Sequence, residues 1–160
     1  MFDKVEVIDG NIIHLSFRSR KDQSLSMFRI SEFYESPHMP RRGEYFSVEQ
    51  FLELYTTDKG HLNYFNYWDG FNIPGDVINE FYMHFNKDLL KREARLQDLI
   101  WDSVNTFNDY YVISTVGKSK ELFNHELSHA KYYLNESYKN EVNEYINTLP
   151  KDIINNIIES

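Results

Sequence analysis

The chain has 160 residues, six histidines, no cysteine and a formal net charge of −8, with 41% hydrophobic and 16% aromatic residues. That apolar share over this length supports one domain with its own core and excludes a disordered chain. Without cysteine there are no disulfides, thiolate metal sites or cysteine nucleophiles, and an acidic chain with no long basic block argues against a nucleic-acid partner.

In chain order, the first predicted element is a hairpin: Val5-Glu6-Val7-Ile8, a tight turn at Asp9-Gly10, then Ile12 to Phe17. Asp22 is placed to cap a helix carrying Leu25, Phe28 and Tyr34 and ending before Pro37. Ser47-Val48-Glu49-Gln50 has the capping-box pattern, and the helix it opens turns Phe51, Leu52 and Tyr55 inward until Gly60 stops it. From His61 to Gly75 runs an aromatic segment with turn residues but no helical or strand period, which predicts a loop. Its rings, Tyr67, Trp68 and Phe71 among them, either plug the core or wall a cleft, and the dominance of large aromatics in cores favours the plug.

Two helices follow, one from about Asp76 to Phe85 and a longer one from Lys87 to about Phe107. Tyr110 to Val116 is rich in β-branched and aromatic residues and reads as a strand, which Gly117 breaks. Ser119 is a suitable N-cap for the next helix, where Phe123, Leu127, Ala130 and Leu134 form one buried stripe. Asn135 ends that helix, Ser137 is placed to cap another with Val142, Tyr145, Ile146 and Leu149 on its apolar face, and Pro150 opens a last short one. The expected fold is a single α+β domain spanning 1–160, mostly helical with a small sheet. No segment has membrane-span length and no signal peptide is visible, so a cytoplasmic protein with no membrane partner is expected.

The densest chemical signal is His125-Glu126-Leu127-Ser128-His129, an H-E-x-x-H pattern. Residues four apart share a helix face, so both imidazoles can aim at one metal ion, and they lie off the apolar stripe. Glu126 follows the first histidine, where a carboxylate can take a proton from a metal-bound water. His14, His38, His61 and His84 have no partner at metal-ligand spacing.

This motif, with the strand before it, resembles the zincin superfamily of zinc metalloproteases over one helix and its surroundings. The metzincin subtype is excluded, because its further Gly and His positions hold Tyr132 and Asn135. The resemblance implies Zn²⁺ bound by His125, His129 and a third, carboxylate ligand, with Glu126 as general base in hydrolysis of a peptide or protein substrate. It also implies a strand edge that pairs with extended substrate. If the following helix returns antiparallel, Glu144 arrives near the level of the histidines, and Glu141, one turn earlier, is the alternative. Failing both, Asp152, His61 or His84 could serve. Tyr132, Tyr133, Tyr138 and Tyr145 are candidates for a hydrogen bond to the oxyanion. The rival expectation is a non-catalytic zincin-like module that binds a peptide or protein or has a regulatory role.

Overall fold

A computed structural model describes residues 2–36, 42–62, 64–66, 68–104, 109–150 and 153. The N-terminal hairpin is β1 (Phe2–Ile8) and β2 (Ile12–Phe17), turning through Asp9 and Gly10, both at positive φ. Helices α1 (Arg20–Glu35) and α2 (Val48–Tyr55) follow, then a short 3-10 turn (Tyr64–Asn66) and strand β3 (Gly70–Pro74). Helices α3 (Gly75–Phe85) and α4 (Lys91–Ser103) lead to β4 (Tyr111–Val116), α5 (Lys120–Leu134) and α6 (Glu136–Thr148). The strand order is β1-β2-β4-β3, with β2 and β4 parallel and the two outer strands antiparallel to their neighbours. The α+β architecture expected from the sequence is the one observed.

Alternation along the strands divides the sheet between two cores. Ile13, Leu15, Phe17, Phe71, Ile73 and Val112 join the large core built with α1, α2, α3 and α4. Ile12, Tyr111 and Ile113 face the other way and pack against Ala130, Phe123, Leu127 and Leu134 of α5. Among the described residues, no helix is long and apolar enough to cross a membrane.

Helix α1 is enclosed almost all round, so its buried polar residues must find partners. Gln23 donates to Ser114 Oγ (3.0 Å), Tyr55 donates to Glu32 (2.8 Å), and Arg29 makes paired bonds to Glu93 (2.8 and 2.5 Å). Arg29 and Glu93 are 0% and 1% exposed, and Arg29 also reaches the Asp88 carbonyl at 3.0 Å.

Several boundaries differ from the sequence reading. The cap of α1 is Ser19, whose Oγ accepts from Asp22 N at 3.1 Å, and Asp22 lies in the first turn. The Ser47 capping box is present, but α2 ends at Tyr55 rather than running to Gly60, because Thr56 leaves the helix to bridge Leu62. The supposed loop contains β3: Phe71 and Ile73 enter the core while Gly70 and Asn72 lie on the opposite face. Tyr64 and Phe71 are buried and Trp68 packs on the same core, so these rings form a plug; Tyr67 lies outside the described residues. Helix α4 begins at Lys91, after Leu89 and Leu90 have packed on the core ahead of it, and ends at Ser103, where Val104 turns extended, short of the expected end near Phe107, a residue outside the described ones. Most of the helix expected after Pro150 also lies outside the described residues, as do His38 and Asp152.

Candidate metal centre on helix α5

Gly117, at φ 72°, turns the chain out of β4, and Ser119 caps α5 by accepting from Leu122 N at 3.2 Å. The apolar stripe of the helix is drawn onto the sheet, which fixes its rotation. His125 and His129 are thereby left exposed, while Glu126 faces the sheet and is only 4% exposed.

Glu126 lies over the edge strand β3. Its Oε2 accepts a hydrogen bond from Asn72 Nδ2 at 2.8 Å, and Asn72 Oδ1 accepts one from the Tyr111 hydroxyl at 3.0 Å. The phenol thus settles which end of the amide meets the carboxylate. The other oxygen approaches Gly70 so closely that a Cβ there would lie 2.1 Å from it. Glycine is needed at that position for contact, not for backbone conformation.

The histidine rings are T-shaped to each other, with centroids 4.8 Å apart, and the two Nε2 atoms are separated by 3.3 Å. Tetrahedral zinc with Zn–N bonds of about 2.0–2.1 Å separates two nitrogen ligands by about 3.3–3.4 Å. The pair therefore matches one edge of a zinc coordination sphere. The same spacing lets one neutral ring donate its N–H to the other.

The third ligand is a different matter. Among the described residues, no three His, Asp or Glu side chains are gathered as a metal site requires. Glu141 and Glu144 are both exposed on α6, and the structure does not bring either into a group of three with the histidines. Asn135 is at once the C-cap of α5 and the N-cap of α6, accepting from Tyr138 N at 3.0 Å, so Ser137 is not the cap. Helix α6 buries no residue, and Tyr145 on its expected apolar face is 66% exposed. The contact between the helices includes Tyr132 donating to Asn143 at 3.0 Å. His61 sits in an exposed turn, and His84 rests against Phe33 with Glu80 at 3.9 Å. His14 bonds Thr115 at 2.9 Å beneath Phe123.

Sequence reasoning missed Asn72, Gly70 and Glu35 around Glu126, whereas Tyr133 was among the oxyanion candidates. Tyr133 packs on Tyr111 with centroids 5.3 Å apart, and its phenol is pushed up by burial and by Asp76. Glu35, at the end of α1, is pushed up by burial, with Arg42 opposing and Glu126 and Glu32 adding repulsion. A Gly-x-Asn alternation between Asp69 and Ile73 was the one available signal for the strand that holds Glu126. No protein-family profile, curated protein or solved structure matches the chain.

Proposed function

We propose that the protein is a cytoplasmic zinc-dependent peptidase with His125 and His129 as metal ligands and Glu126 as general base. The observation that carries this reading is the 3.3 Å Nε2–Nε2 spacing on an exposed helix face, one residue from a buried carboxylate. Bound zinc would supply a Lewis acid and bring the pKa of a water down towards ~7.

The chain's own groups supply the rest. Asn72 keeps one oxygen of Glu126 as an acceptor and limits the rotation of the carboxylate. From there Glu126 takes a proton from the attacking water and passes it to the departing amine. Strand β3 ends the sheet, so its outer backbone groups can pair with an extended peptide or protein substrate. Glu144 is the proposed third ligand and Glu141 the alternative. Glu144 follows Asn143, which already meets α5 through Tyr132, and a helix that buries no residue has little packing to oppose a swing of α6.

The bond between Asn72 and Glu126 favours a second reading, a non-catalytic peptide-binding or regulatory module in which Glu126 fastens α5 to β3. One experiment separates the two. The chain and its Glu126→Gln variant are incubated with a mixed peptide pool, with and without chelator, and products are read by mass spectrometry. Peptidase action predicts chelator-sensitive cleavage that falls by orders of magnitude in the variant. Cleavage that ignores both chelator and substitution rules the proposal out.

A further inference from the structure

Helix α5 lies over β3 and β4, and beside it, above β1 and β2, an open cleft of about 370 Å³ extends to the first turn of the helix. Glu6 and His14 are partners across the β1–β2 ladder, so both side chains rise on the α5 side of the sheet and line this cleft. His14 is 8% exposed. Its Nε2 lies 2.9 Å from Thr115 Oγ1, but its Nδ1 has no hydrogen-bond partner: Glu6 Oε2 stands 3.7 Å away, beyond reach. A buried nitrogen in that condition is destabilising until a partner meets it.

The partner that fits is a hydroxyl. One oxygen about 2.8 Å from both Nδ1 and Oε2 closes a triangle over the gap, and a hydroxyl there donates to the carboxylate while accepting from Nδ1–H. Burial holds the imidazole pKa down against Glu6, which keeps the ring neutral, with one N–H to give. The Glu6 side chain is 43% exposed, so it has room to open the gap to the cleft, and its other oxygen is held by Lys4.

The start of α5 sets a different requirement. Ser119 Oγ accepts from Leu122 N, and the Ser119 carbonyl accepts from Phe123 N. The N–H groups of Lys120 and Glu121 come earlier and have no carbonyl of the helix behind them, so its positive end stays open. Glu121, the acid of that turn, is exposed and does not line the cleft. Lys118 and Lys120 do line it, and neither makes an ion pair among the described residues. Free helix N–H groups between two free cations suit a phosphate.

The geometry points to a binding site for a small phosphorylated polyol. Its phosphate lies at the first turn of α5 between Lys118 and Lys120, and one of its hydroxyls bridges His14 and Glu6. At about 30 Å³ for each water-sized group the cleft takes about twelve, of which a phosphate fills about five. Glycerol 3-phosphate is of that size.

Isothermal titration of the full chain with glycerol 3-phosphate, inorganic phosphate and glycerol, at low ionic strength, tests the assignment. Lys118→Glu combined with Lys120→Glu reverses the charge at exposed positions, Glu6→Ala removes the hydroxyl acceptor, and melting curves verify that both variants are folded. Wild type should bind glycerol 3-phosphate about tenfold more tightly than phosphate, the scale of one hydrogen bond to a charged group, and glycerol not measurably. Charge reversal should weaken both anions about tenfold or more. Glu6→Ala should erase the preference for glycerol 3-phosphate and leave phosphate bound at least as tightly. The His14 ring resonances should move with glycerol 3-phosphate and lose that response in Glu6→Ala. No binding of either anion, equal affinity for the two in wild type, or a preference that survives Glu6→Ala would overturn the assignment. Binding that survives charge reversal would mean an adventitious ion only. Tighter binding to phosphatidic acid vesicles than to glycerol 3-phosphate would also overturn it, since the site would then belong to a lipid headgroup.

Discussion

Asn72 holds Glu126: the amide Nδ2 lies 2.8 Å from the carboxylate, across a sequence separation of 54 residues. The bond ties the edge strand to the motif helix and gives a buried charge a donor. Asn72→Leu removes that donor and should cost about 1.5–3 kcal/mol, as loss of a hydrogen bond to a charged group does. Tyr111→Phe, which only frees the amide to rotate, should cost about 0.5–1.5 kcal/mol. Urea unfolding measures both; an Asn72→Leu protein as stable as wild type would show that the bond contributes nothing.

Gly70 makes the second prediction. A Cβ at this position meets the Glu126 carboxylate at 2.1 Å and its Cδ at 2.7 Å, so Gly70→Ala must push strand and helix apart. Combining it with Glu126→Ala removes the obstacle, and the double variant should be more stable than the two single costs added together. Strict additivity would place the strain elsewhere.

The third prediction concerns Arg29 and Glu93, a fully buried ion pair between α1 and α4. Glu93→Ala leaves the guanidinium short of its main partner and also removes the acceptor for Leu90 N. A loss of about 3–5 kcal/mol is expected in denaturant unfolding. A loss below 1 kcal/mol would mean that Asp88 alone satisfies Arg29.

The legibility of the sequence varied with the range of the interaction. The histidine pair could be read because i and i+4 are neighbours on any helix, and Ser47 and Ser119 because a cap acts three residues away. Asn72 could not, since only the pairing of β3 with β4 brings it under α5. The strand itself was hidden, five residues long and bounded by Gly70 and Pro74, residues that ordinarily signal turns. Leu89 and Leu90 read as helix because apolar spacing does not distinguish a helix from the packed chain before it. Asn135 serves two helices at once, so a separate cap was sought at Ser137. The height count that chose Glu144 assumed antiparallel return after a turn, and no such turn separates α5 from α6.

Two titrating groups act on stability in opposite directions. Burial holds the His14 imidazole below its ordinary 6.5, with Glu6 opposing. The unfolded chain then binds the proton more tightly, so this contribution is complete above 6.5 and is lost as pH falls towards the folded value. Burial raises the Glu35 carboxyl above 4.5, so its contribution is complete below 4.5 and is lost as pH rises through the folded value. His14→Gln should flatten the acid-side loss. Glu35→Gln should raise stability at neutral pH, with the gain vanishing below 4.5. Urea midpoints of the three proteins across acid and neutral pH check both signs, and a Glu35→Gln protein less stable than wild type at neutral pH would contradict the second.

The central claim is that His125 and His129 hold one zinc ion. Its most direct test is a zinc titration of untagged protein against a chromophoric chelator, repeated for His125→Ala, His129→Ala, Glu126→Gln, Glu141→Ala and Glu144→Ala. The account predicts one zinc per chain in wild type and in Glu126→Gln, and a loss of affinity of about tenfold or more in either histidine variant. Glu144→Ala should weaken binding far more than Glu141→Ala. Wild-type protein that takes up no zinc, or zinc affinity indifferent to both histidine substitutions, would contradict it.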